Sequence, residues 1–188
     1  MGRARLARPT ACPRCGAAGF AVWPVVHCGG VNLIMIDYMR DHVMPAAFSL
    51  LPEGMDSEDA RVMLLAIGLQ ESRFDHRVQI GGPARGFWQF EKGGGIRGVL
   101  GHHATKYHAM SACRHLRYFD ADDEAYNAIA HNDVLACVFA RLLLWSLPQP
   151  LPTSSDDGWD QYLAAWRPGK PHPETWAAFY AQAKQLGV

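Results

Sequence analysis

The chain has 188 residues, 49% of them apolar, and its 18 lysines and arginines are balanced by 18 aspartates and glutamates. Such a length and composition suit one folded domain with a proper core, with room for a small appendage, and exclude a disordered chain. A formal net charge of zero argues against nucleic acid or an anionic membrane surface as partner, leaving room only for a local basic face.

Residues 1–30 are rich in Gly, Cys and Pro and lack a helical period, so they form an N-terminal segment distinct from a folded part over 31–188. Within it, Cys12 and Cys15 of "CPRCG" have the spacing of a zinc knuckle, and His27 and Cys28 of "HCGG" offer further ligands. Adjacent His and Cys are awkward ligands for one tetrahedral ion. A structural zinc is therefore one expectation, and a tail without structure or a translation start at Met35 is the other. The five cysteines are odd in number and unevenly spread, which fits no complete disulfide framework. The uncharged stretch from Gly16 to Ile36 is broken by Pro24, His27 and Asn32, so neither a signal peptide nor a stable membrane span is expected from it.

From Leu33 to Leu51 apolar residues return at helical spacing, and Pro45 is expected to bend or end that helix. A second helix is expected over 57–73, with Asp56 as N-cap, Asp59 in a capping-box-like position and Glu58 in the first turn. Val62, Leu65, Ala66 and Leu69 form its apolar face, widened by Met63 and Ile67. The Gly-rich residues 75–101 favour loops, short strands or isolated turns. His102, His103, His108 and His115, with Cys113 nearby, lack a tight i, i+4 pair and an acidic third ligand, and read as a solvated basic surface. Residues 131–147 form a core helix capped by Asn132 or Asp133. "PQPLPTSSDDG" is loop, "WDQYLAAW" a short helix, and the segment after "RPGKPHP" a last amphipathic helix ended by Gly187. The fold class expected is mainly α, with a Gly-rich loop or small β element after the second helix.

Glu71 stands out. Three and four residues before it lie Gly68 and Ile67, and a turn earlier Leu64 and Met63, so the carboxyl shares a helix face with apolar neighbours. Such surroundings disfavour the charged form and raise a carboxyl pKa from about 4.3 toward 6, where it can donate a proton to a glycosidic oxygen. Phe87 and Trp88 are candidates to stack on sugar rings, with core packing as the plainer alternative, and Gln89 can bind hydroxyl or amide groups. Arg73, Arg77, Arg85, Lys92 and Arg97 surround this stretch and could attract carboxylates.

The order of "GLQESRF", then "GPARGFWQFE", then "HNDVLACVFARLLLW" and "LAAWRPGKP" resembles the lysozyme-like superfamily, in its soluble lytic transglycosylase and goose-type lysozyme branch, with wording closest to phage or prophage proteins. The resemblance covers about residues 56–180. It implies a lysozyme-like helical domain that cleaves the β-1,4 bond between N-acetylmuramic acid and N-acetylglucosamine in peptidoglycan, with no cofactor for catalysis. Glu71 would be the general acid and base, Ser72 would order the site beside the substrate, and Gln89 would contact the substrate. Trp166 falls at the family's tyrosine position, and Tyr162, one helical turn earlier, is the other candidate. A transglycosylase needs one carboxylate, whereas an inverting hydrolase needs a second, for which Asp75 and Glu91 are nearest in sequence. The resemblance also implies synthesis in the cytoplasm and delivery to the cell wall through a holin or in a virion. A lysozyme fold used without catalysis, as a glycan-binding or virion structural module, is the alternative.

Overall fold

In a computed structural model, residues 27–28, 31–119 and 122–186 are described, with side chains from residue 34 onward. The chain is mainly helical, as expected from its periodicity. A two-residue antiparallel hairpin pairs β1 (His27–Cys28) with β2 (Val31–Asn32). The first helical stretch follows as α1 (Leu33–Tyr38), a π-helical turn (Met39–Val43) and α2 (Met44–Phe48). Pro45 neither ends nor breaks it. The proline sits in the first turn of α2, where a missing N–H is tolerated, and the backbone widens into the π turn just before it.

Helix α3 (Glu58–Ser72) runs through the centre of the protein: every residue from Val62 to Leu69 is buried. Its cap corrects the expectation for Asp56. Ser57 is the extended residue whose Oγ accepts from the Ala60 N–H at 3.2 Å, while both Asp56 oxygens take the Arg61 guanidinium at 2.7 Å.

After α3 comes a Gly-rich loop stiffened by isolated antiparallel bridges, Val78 with Arg85 and Arg85 with Phe90. Not all of the Gly-rich segment is loop. Lys92–Ile96 forms a π-helical turn that leads directly into α4 (Arg97–Gly101), and α5 (Lys106–His115) and α6 (Asp123–Ala128) follow. Helix α7 (Asp133–Trp145) is capped by Asn132, whose Oδ1 accepts from the Leu135 N–H at 3.0 Å, and packs its apolar residues against α2, α3 and α5.

Helix α8 (Ser155–Trp166) starts four residues earlier than the sequence suggests, because the Ser154 Oγ accepts from the Asp157 N–H and caps it. Helix α9 (Pro173–Gln185) lies along α3 and α8. Gly187, its expected terminator, lies outside the described residues. Among the described residues, no helix is long and apolar enough to cross a membrane.

Candidate functional site

The C-terminal end of α3 faces the start of α9, the loop after α3 and the last two turns of α8. Gln70 fixes the first of these contacts: its Nε2 donates to the His172 carbonyl at 3.0 Å, and its Oε1 accepts from the Thr175 hydroxyl at 3.0 Å. The helix then stops abruptly. Arg73 and Phe74 both adopt left-handed backbone, with φ of 54° and 57°, and the reversal folds the Phe74 ring back over Gly68. A Cβ at Gly68 would lie 2.2 Å from that ring. Phe74 is buried and meets Phe87 and Trp88 edge to face, with ring centroids 5.4 and 6.1 Å away.

Those two aromatics belong to a four-residue turn closed by Arg85 and Phe90, which exchange backbone hydrogen bonds of 2.9 and 2.8 Å. Gly86 begins the turn at φ 72°, and any Cβ there would approach the Ile129 carbonyl oxygen to 2.9 Å. Ser72 bolts this turn to α3: its hydroxyl donates to the Phe87 carbonyl at 2.7 Å and accepts from the Phe74 N–H at 3.2 Å. Trp88 does the same from the other side. Its indole N–H donates to the Leu64 carbonyl at 2.9 Å, and its own carbonyl accepts from the Trp166 indole at 2.8 Å. A single residue thus links the helix that carries Glu71 to the helix that carries Trp166.

Phe87 and Trp88 are completely buried, so neither offers a ring face to a sugar, and the expectation that they bind substrate is corrected. Trp88 sets the turn against α3 through Leu64, and Phe90 sets it against α7 through Phe139. Ser72 borders the groove described below, but its hydroxyl is committed to the Phe87 carbonyl, which makes it a positioning residue rather than a substrate contact.

Glu71 is half-buried on α3, and its Oε1 accepts from the Tyr162 hydroxyl at 2.7 Å. Oε2 has no hydrogen-bond partner among the described residues. Burial pushes the Glu71 pKa up to about 7, only partly opposed by the Tyr162 hydrogen bond, which favours the charged form. Tyr162 is held firmly. It is 2% exposed, its ring stacks on Trp176 at 5.2 Å and 14°, and Trp159 and Trp166 flank it at 5.3 and 6.3 Å. Burial and the adjacent carboxylate push the phenol pKa up, so the hydroxyl keeps its proton and acts as a donor.

Of the two candidates for the tyrosine position, the structure brings Tyr162 to Glu71. Trp166 lies half-buried on the groove wall with its indole N–H already used.

The groove has two chambers that meet at Glu71. The larger, about 900 Å³, is lined by Glu71, Gln89, Trp166 and the Gly94–Gly95 turn, and extends along Arg167 to Lys170. The smaller, about 220 Å³, is lined by Glu71, His76, Val78, Gln79, Ile80 and Gln89. Gln89 stands between them with φ 51°. Its amide Nε2 donates to the Gly86 carbonyl at 2.8 Å and to the His76 carbonyl at 3.4 Å, and the residue lines both chambers. Of the two proposed second carboxylates, Glu91 lines the larger chamber with Glu71, whereas Asp75 is exposed and lines neither.

The basic residues expected around the site are mostly engaged elsewhere. Arg77 forms a two-pronged pair with Asp133 at 2.9 and 2.7 Å and covers the Phe87 ring at 4.2 Å. Arg85 bonds Asn127 at 2.8 Å and covers Tyr126, Lys92 pairs with Asp123, and Arg97 with Asp122 at 3.2 Å. Sequence reasoning placed Arg77 near the site and read Asp133 only as a cap, so it missed this pair. Nothing in the spacing of residues 56 positions apart signals it.

The zinc expectation lies outside the described residues: Cys12 and Cys15 entirely, and His27 and Cys28 in their side chains. Among the described residues, no group of three or more His, Cys, Asp or Glu side chains is placed to hold a metal ion. Of the histidine cluster, His102 lines the larger chamber and its ring lies 4.4 Å from that of His103.

No family model, no curated protein and no solved structure matches this chain. The groove and its side chains are therefore the ground for any functional reading.

Proposed function

We propose that the protein cleaves peptidoglycan at the β-1,4 bond between N-acetylmuramic acid and N-acetylglucosamine, as a muramidase or lytic transglycosylase of the lysozyme-like kind, with Glu71 as general acid and then base. One observation carries the reading: a carboxyl with its pKa pushed up to about 7 sits where two chambers of one groove meet, with one oxygen held by a tyrosine and the other open. At neutral pH such a group is protonated in a useful fraction of molecules.

Protonated Glu71 gives its proton to the glycosidic oxygen as the bond to the anomeric carbon breaks. The resulting carboxylate then stands beside the positively charged sugar and accepts a proton from the nucleophile. If the nucleophile is the sugar's own hydroxyl, an anhydro ring closes and one carboxylate suffices. If it is water attacking from the opposite face, Glu91, the second carboxylate available in the same chamber, would take the water's proton in place of Glu71, and a separation of about 6.5 to 9.5 Å would suit inversion. Gln89 and Trp166, the open polar and aromatic groups on the wall, would orient the glycan. The protein would be made in the cytoplasm and reach the wall through a holin or as part of a virion.

The test is mass analysis of the products formed from purified cell walls. Wild-type protein should release muropeptides, with anhydro ends for a transglycosylase or reducing ends for a hydrolase, and Glu71→Gln should lower the rate by orders of magnitude. Glycan binding without product from the wild-type chain would show a non-catalytic module instead.

A further inference from the structure

The two chambers differ in charge. The smaller has no lysine or arginine in its wall and presents Val78 and Ile80, which are 51% and 90% exposed. The larger carries Arg167 and Lys170, both exposed, against Glu91. While Glu71 holds its proton, two cations therefore face one carboxylate there.

These two cations are unlike most others near the site. Arg77, Lys92 and Arg97 each have an aspartate, whereas neither Arg167 nor Lys170 forms an ion pair within 4 Å among the described residues, Lys170 being drawn to Glu174 only at longer range. The Arg167 Nε donates to the Ala164 carbonyl at 3.3 Å, leaving the rest of the guanidinium fork unused. Arg167 also holds a costly backbone. It closes α8 in the left-handed region at φ 48°, where glycine is the favoured residue, and it precedes Pro168, which further restricts the residue before it. Among the described residues the charged side chain makes one hydrogen bond, to the Ala164 carbonyl, and no carboxylate holds it in this strained position.

We propose that Arg167 and Lys170 bind a carboxylate carried by the substrate, so that the sugar bearing it lies on the Trp166 side of Glu71 and an uncharged sugar lies against Val78 and Ile80. The inference rests on the glycan-cleaving reading. On a peptidoglycan strand the carboxylate is the lactyl group of N-acetylmuramic acid, free or extended into a peptide, whereas N-acetylglucosamine carries none. The orientation of the strand across Glu71 is then set by charge, and the fork geometry of Arg167 suits a carboxylate.

The experiment compares two ligands on Glu71→Gln protein, so that neither is consumed: a tetrasaccharide of alternating N-acetylglucosamine and N-acetylmuramic acid with free lactyl carboxylates, and the uncharged tetramer of N-acetylglucosamine. Calorimetry is repeated with Arg167→Gly and Lys170→Gln added. Glycine relieves the left-handed strain, so thermal stability should be kept or raised. The expected result is a loss of about tenfold or more in affinity for the muramyl ligand, with the uncharged tetramer unchanged. Equal affinity of the variant for the muramyl ligand, or equal loss for both ligands, would overturn the carboxylate site and leave the glycan reading intact. Binding of neither ligand before the two substitutions would overturn the glycan reading itself, and the carboxylate site with it.

Discussion

The Tyr162 hydroxyl donates to Glu71 Oε1 at 2.7 Å across 91 positions of sequence. Because a donor stabilises the carboxylate, it lowers the Glu71 pKa against the larger upward push of burial. Tyr162→Phe removes that donor while keeping the ring on Trp176. The activity we propose requires the protonated acid and falls as pH rises through about 7. In Tyr162→Phe this descending limb should move to higher pH, with a rate at its plateau about tenfold lower because the carboxyl is less firmly oriented. A pH profile of cell-wall turbidity clearing reads both effects.

Stability should report the same group. Glu71 has a folded pKa of about 7, above its ordinary value of 4.5, so between these values the folded chain holds more protons than the unfolded one. Its contribution is fully present below about pH 4.5 and is lost as pH rises through 7. Glu71→Gln removes the dependence, so the variant should gain on the order of 2 kcal/mol relative to wild type between pH 5 and pH 8. Denaturant unfolding at the two values measures it; an unchanged difference would mean that Glu71 is not held in this environment.

Ser72→Ala leaves the Phe87 carbonyl and the Phe74 N–H without their partner at a helix end that is already strained. The cost should be about 1 to 3 kcal/mol. If Ser72 only positions the turn that bears Gln89, its loss should also raise KM without moving the pH limb set by Glu71. Steady-state kinetics across pH separates the two.

Arg77→Met strands the Asp133 carboxylate, whose side chain is 8% exposed at the start of α7. Breaking a buried pair from one side costs about 3 to 5 kcal/mol, and the partial exposure of Arg77 brings the expected loss nearer to about 2. Arg77→Lys should recover little of it, since an ammonium cannot make the paired contact or cover the Phe87 ring in the same way. Thermal unfolding of the two variants, compared with Asp133→Asn, tests the pairing.

The longer helices α3, α7 and α9 were legible because their apolar residues recur at helical spacing and because Asn132 and the acidic residues around the start of α3 signal a cap, whereas the short α4, α5 and α6 carry no such run and were not expected. Which of Asp56 and Ser57 does the capping depends on the backbone angle of one residue, and side-chain type does not decide it. The burial of Glu71 was legible too, since its apolar neighbours three and four residues back are a local matter. Its partner was not. Tyr162 and Trp166 lie on adjacent turns of α8, and only the packing of α8 on α9 through Tyr162 and Trp176 decides which one reaches the carboxyl. Phe87 and Trp88 show the same limit: an aromatic pair beside glycines fits either a sugar platform or a core plug. Burial of both rings under Phe74 decides for the plug.

The groove continues on both sides of Glu71, into a chamber of about 900 Å³ and another of about 220 Å³. A strand laid across it therefore presents an interior linkage to the acid and needs no free terminus to be engaged. Cutting would be internal rather than trimming from an end: on long strands the average length should drop steeply in the earliest minutes, before disaccharide-sized products accumulate.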